Sequence, residues 1–133
     1  MTAAAASPEL TRFIRDRLGC GCPPEVFARV DESPTETSRC AGATRRIDVG
    51  GRLLIYLVES DTPDQVRSRL PDWIAAGRAE RDAAGMNRLR LVIALPHDDP
   101  AALEPIRDAF ATIAGTDERL HLHILRPEQI PPP

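Results

Sequence analysis

Three observations predict an α/β domain built on a mixed sheet. Leu53-Leu54-Ile55-Tyr56-Leu57-Val58 is apolar without alternation, the pattern of a strand covered on both faces. Leu89 to Leu95 and Leu120 to Leu125 are apolar runs that each follow a segment of helical periodicity. Strands joined by crossover helices are parallel. Gly50-Gly51 separates Arg45 to Val49 from Arg52 to Glu59. A Gly-Gly pair between strand-like runs marks a hairpin, because primed turns need positive φ. The expected order is two N-terminal helices followed by ββαβαβ. This makes a four-stranded mixed sheet of a thioredoxin-like or related three-layer kind, with the first hairpin strand at an antiparallel edge.

Each element has a local reason. Residues 1–6 are expected to fray. Ser7-Pro8 opens an amphipathic helix to Leu18 with Leu10, Phe13, Ile14 and Leu18 on one stripe, and Gly19 suits the position that ends it. A second, short helix is expected from Pro23 to about Val30, burying Val26, Phe27 and Val30. Residues 31–44 are polar and read as a loop. Thr62-Pro63-Asp64-Gln65 reads as a capping box. The helix it opens has Val66, Leu70, Trp73, Ile74 and Gly77 on one stripe, a kink expected at Pro71, and Gly85 as its stop. Asp99-Pro100 opens the last helix, with Leu103, Ile106, Phe110 and Ile113 inward and Gly115 at its end. Residues 127–133 hold four prolines and are expected to be a loose tail.

At 133 residues the chain fits a single domain, 1–133, large enough for a core of its own. It is 42% hydrophobic and 28% charged, with a formal net charge of −3. No basic run with interleaved aromatics points to nucleic acid, and no apolar run nears the roughly 20 residues that span a bilayer. The first residues lack the basic and apolar regions of a signal peptide, so a cytoplasmic location is expected. All 17 basic residues are arginine, a composition that fits a GC-rich bacterial genome. Three cysteines make an odd number, unlike a secreted disulfide framework.

Cys20 and Cys22 stand one residue apart between Gly19, Gly21 and Pro23. Cys22 occupies the cap position that Ser7, Thr62 and Asp99 occupy elsewhere. A neutral thiol caps poorly; a thiolate is stabilised by the partial positive charge of a helix N-terminus. Two thiolates at this spacing chelate a soft metal such as zinc, or take two corners of an iron–sulfur cluster, with Cys40 and a histidine or partner chain completing the set. The same pair suits thiol–disulfide exchange, with Cys22 attacking and Cys20 resolving. Glu25, one turn inside the helix, opposes a thiolate, and the plain alternative is a small buried thiol beside a tolerated cap.

Two further groups hold candidate ligands. Glu59, Ser60 and Asp61, then His97, Asp98 and Asp99, then Arg126 follow the carboxyl ends of the parallel strands, where open α/β sheets place their crevice. His121 and His123 share one face of the last strand. His97, His121 and His123 are thus additional metal-ligand candidates, and the two on the strand equally suit a half-exposed edge. No phosphate-loop, dinucleotide-binding, nucleophile-elbow or H-E-x-x-H motif occurs.

The string Phe13 to Phe27, with Leu18-Gly19-Cys20-Gly21-Cys22-Pro23 at its centre, resembles the opening of a family of small, uncharacterised prokaryotic proteins with an L-G-C-x-C-P-x-x-V-F motif. The resemblance covers about the first 30 residues and implies that the paired cysteines are a family feature. The expected function is a small cytoplasmic accessory protein that binds a metal, zinc, or an iron–sulfur cluster through Cys20 and Cys22. Alternatives are a thiol–disulfide protein using the same pair and a non-catalytic interaction module. A second protein or another copy of the chain is the expected partner.

Overall fold

The computed structural model describes residues 5–19, 21, 23–34 and 45–131. Helix α1, Pro8–Arg12, continues as a π turn, Phe13–Arg17, and a 3-10 turn follows at Pro24–Ala28. Five strands come next, β1 (Val30–Pro34), β2 (Arg45–Val49), β3 (Leu53–Glu59), β4 (Arg88–Ala94) and β5 (Leu120–Leu125), with α2 (Pro63–Ala83) between β3 and β4 and α3 (Pro100–Ala114) between β4 and β5. The sheet order is β1-β2-β3-β4-β5; the first three strands are antiparallel and the last three parallel.

Strand alternation divides the interior into two cores. Leu54, Tyr56 and Val58 of β3, Leu89, Leu91 and Ile93 of β4 and Leu120 of β5 meet Val66, Leu70, Trp73 and Ile74 of α2 and Leu103 and Ile106 of α3. Leu53, Ile55 and Leu57, with Val92, Ile47 and Val49, meet Leu10, Phe13, Ile14, Leu18, Val26 and Phe27 on the opposite face. The sheet is therefore the middle of three layers, which is why all of Leu53 to Val58 is buried. The predicted stripe of α2 is buried as written, Gly77 included. A Cβ at Gly77 would stand 2.5 Å from Leu89 Cδ2, so the missing side chain lets helix and strand approach closely.

Several expectations are corrected. The sheet has five strands, because Val30 leaves the 3-10 turn and pairs with Val49 as the start of β1. Five residues of the expected 31–44 loop region and its border thus form a strand, β1 is the antiparallel edge, and β2 is internal; residues 35–44 lie outside the described residues. α2 runs unbroken through Pro71, held by its packed stripe. Thr62 makes no side-chain cap; its hydroxyl donates to Asp61 Oδ1 at 3.1 Å instead. The C-terminal segment is anchored as far as it is described. Pro127–Gln129 form a 3-10 turn, Ile130 packs on the second core, and Pro131 O accepts from Arg45 Nη1 at 2.8 Å. At the other end, Ala6 N–H donates to Phe27 O at 2.9 Å.

Buried charge ties α2 down. Arg46 of β2 pairs with Glu80, and Tyr56 Oη donates to the other oxygen of Glu80 at 2.7 Å. Arg78 and Arg81 both reach Asp117 in the turn before β5, at 3.1 and 3.0 Å. Burial raises the Asp117 carboxyl, but the Arg119 N–H and the two guanidiniums outweigh it and hold the group below its ordinary value.

Candidate functional site: an arginine-lined cavity at the start of the parallel strands

The short helical layer packs over Leu53, Ile55 and Leu57 of β3 and Val92 of β4, and the amino-terminal ends of β4 and β5 beside it carry polar side chains. There the face opposite α2 and α3 carries Arg88 and Arg90 of β4, facing His121 and His123 of β5. Arg90 is in register with His121. A cavity of about 290 Å³ lies at this end, lined by Gly21, Pro23, Val26, Arg52, Leu53, Asn87, Arg88 and Arg90. One wall thus comes from the elbow, the described residues of the segment Gly21 to Val26, another from Arg52 and Leu53 after the hairpin turn, and the rest from the start of β4. Gly50 docks the elbow wall: its N–H donates to Arg29 O at 2.7 Å, with φ at +62° and Val26 packed directly against it.

The lining is cationic. It contains three arginines and no carboxylate. Arg90 is only 7% exposed, and its Nε has no hydrogen-bond partner among the described residues. Arg90 Nη1 and Arg88 Nη1 lie 2.9 Å from His123 Nε2 and His121 Nε2. A guanidinium has no acceptor, so both imidazoles accept through Nε2 and are neutral. Burial, Arg90 and His121 push His123 down to about 4; burial, Arg90 and Arg88 lower His121, against Asp117. Burial and the neighbouring Arg88 likewise lower Arg90.

These shifts predict acid sensitivity. Below pH 6.5 the unfolded chain binds a proton at residue 123 that the folded chain refuses down to pH of about 4. Stability is therefore lost as pH falls through that window, by at most about 3 kcal/mol for this one group. Urea melts from pH 7 to 4.5 are expected to show the decline, and His123→Gln to flatten it. An unchanged slope in the variant would assign the decline to other groups.

The predicted site residues separate. Cys20, Cys22 and Cys40 lie outside the described residues; Gly21 and Pro23, the neighbours of Cys22, line the cavity. His121 and His123 do not line it but contact its arginines, so the Nε2 lone pairs a metal would need face arginine. His97 is at the opposite end of β4, where Nε2 donates to Asp61 O at 2.9 Å. Around it, Asp99 caps α3 through Ala101 N–H and Asp98 pairs with Arg126 at 3.1 Å. At this end a cavity of about 270 Å³ is lined by Asp98 and the first turns of α3, and one of about 240 Å³ lies between the first turns of α2 and α3; His97 lines neither. A wider cavity of about 430 Å³ between α1 and the C-terminal segment balances Arg12 and Arg17 with Glu9, Asp16 and Glu128. No group of three or more metal-ligating side chains occurs among the described residues, and no helix among them is long and apolar enough to cross a membrane.

Sequence reasoning missed Arg52, Arg88 and Arg90. The available signal was Arg88-Leu89-Arg90 opening an apolar strand: charge alternating with leucine where the neighbouring strand carries His121-Leu122-His123. Compared with family models, with curated proteins and with solved structures, the chain matches none of them.

Proposed function

We propose that the chain is a small cytoplasmic accessory protein that works through the thiols of Cys20 and Cys22 and holds a soft metal or an iron–sulfur cluster as a thiolate complex. One observation supports this: the residues on either side of Cys22 line a cavity whose charged groups are all arginines. Positive charge lowers thiol pKa values and stabilises a complex of net negative charge, such as a thiolate-ligated cluster, while it disfavours a bare divalent cation. Zinc or a cluster needs more ligands than the pair supplies. The remaining ones come from Cys40, a second copy or another protein. The resemblance to the L-G-C-x-C-P-x-x-V-F proteins, read from the sequence, implies that the pair is a family feature.

The same arginines favour a second reading, thiol–disulfide exchange, in which Cys22 attacks as a thiolate and Cys20 resolves. The thioredoxin-like likeness expected from the sequence belongs with this reading; three layers around a mixed sheet are what supports it. Protein purified without oxygen, chelator or a histidine tag decides between the two. Metal near one equivalent per chain or dimer, or visible iron–sulfur bands, lost in Cys20→Ser and in Cys22→Ser, is the expected result. A metal-free, colourless protein whose thiols alkylate with a pKa well below about 8.5 would replace the metal reading with the redox one. Metal-free protein with ordinary thiols would overturn both.

A further inference from the structure

We propose that the cavity lined by Arg52, Arg88 and Arg90 binds the oxyanion of a small ligand, a phosphate or a carboxylate. Charge, and not the cysteines, points to this ligand. A buried ion is costly unless it is paired. The other buried arginines obey that rule: Arg46 meets Glu80, and Arg81 meets Asp82 and Asp117. Arg90, equally buried, has no ion pair to a carboxylate among the described residues and an Nε with no acceptor. Its side-chain partner is a neutral imidazole, which satisfies a donor and leaves the charge unanswered. Arg88 is held the same way, by His121 and by Glu118 O. Arg52 comes to the rim from the hairpin.

Three guanidiniums around one space therefore have no carboxylate partner among the described residues, and oxyanions match the donor fork. The rest of the lining defines the ligand's other end. Asn87 adds a polar group at the rim, while Pro23, Val26 and Leu53 make an apolar wall. A volume of about 290 Å³ exceeds what a lone phosphate needs and sits at the small end of ligand pockets. The fit is to a small phosphorylated or carboxylated molecule with its anionic group on Arg90 and its body against Val26 and Leu53.

The chain's three histidines supply the readout. His121 and His123 touch the arginines, and His97 at the far end of the sheet is an internal control. Histidine-ring NMR signals of the whole protein would be followed against inorganic phosphate, glycerol phosphate and succinate, with chloride at matched ionic strength. The expected result is a saturable shift of His121 and His123, with His97 still. Tighter binding of glycerol phosphate than of phosphate marks a phosphorylated ligand; preference for succinate marks a carboxylate. Arg90→Gln is expected to weaken binding at least about tenfold. So is Arg52→Gln, whose exposed side chain leaves the fold untouched, while Arg69→Gln on α2 has no effect. No saturable shift with any oxyanion, or equal shifts at His97, would overturn the proposal. The Cys20→Ser/Cys22→Ser double variant separates it from the thiol reading. Unchanged phosphate binding makes the two sites independent. Binding that emerges only in the double variant would mean that a thiolate is the missing anion, and would overturn the oxyanion site.

Discussion

Glu80→Ala is expected to cost about 3–5 kcal/mol of folding stability, the largest single effect outside the apolar cores. Glu80 follows Trp73 and Gly77 on the sheet-facing stripe of α2 and binds both Arg46 and Tyr56. Arg46, 7% exposed, pairs with one carboxylate oxygen. The hydroxyl of Tyr56, whose side chain is fully buried, donates to the other at 2.7 Å. Truncation takes the Glu80 carboxylate away from a buried guanidinium and this acceptor away from a buried hydroxyl. Both keep the full cost of leaving water. The cost thus comes from the stranded partners more than from the pair itself. Arg46→Met in the Glu80→Ala background should recover much of the loss, since paired removal of a buried ion pair is often neutral or better. Chemical denaturation of the four corners of this cycle measures the coupling. Strictly additive single effects would show that Arg46 finds another partner when Glu80 is gone.

Gly50→Ala is the second large effect, expected at about 2–4 kcal/mol. Two costs coincide at this position. The backbone stands at φ +62°, which alanine adopts only with strain. A Cβ would also lie 2.5 Å from the carbonyl oxygen of Val26 and 2.9 Å from its Cγ1, so the 3-10 turn at Pro24–Ala28 must move. Gly51 is the control. It has φ +68° and no atom within 4 Å of an added Cβ, so Gly51→Ala carries the conformational cost alone, about 1 kcal/mol. The difference between the two variants isolates the seat of the elbow on the hairpin. Val26 also walls the arginine cavity, so Gly50→Ala is expected to weaken oxyanion binding while Gly51→Ala leaves it intact. Equal effects of the two variants on stability and binding would mean that the elbow is docked elsewhere.

Much of the architecture was legible locally. The hairpin glycines, the Asp99 cap, the glycines that follow α2 and α3, and the buried stripe of α2 each rest on interactions within a few residues of sequence. Such features survive transfer from sequence to structure because nothing distant competes with them. β1 was not legible. Val30-Asp31-Glu32 lacks apolar alternation and becomes a strand because β2 offers an open ladder. The capping box at Thr62 failed for the same kind of reason, as Asp61 and Ser60 took the groups that the box needed.

The candidate site divides along the same line. Residue type and spacing were enough to single out the cysteine elbow and the His121-x-His123 face, because a motif of two or three residues is a local fact. That His123 is neutral, that Arg90 is buried with no carboxylate partner among the described residues, and that Gly21, Pro23 and the arginines wall one cavity are facts of strand register and layer coverage. They depend on β4 lying beside β5 and on which side chains the helical layer packs over. Electrostatic cost is set by what surrounds a charge across the fold, and chain neighbours carry little of that information.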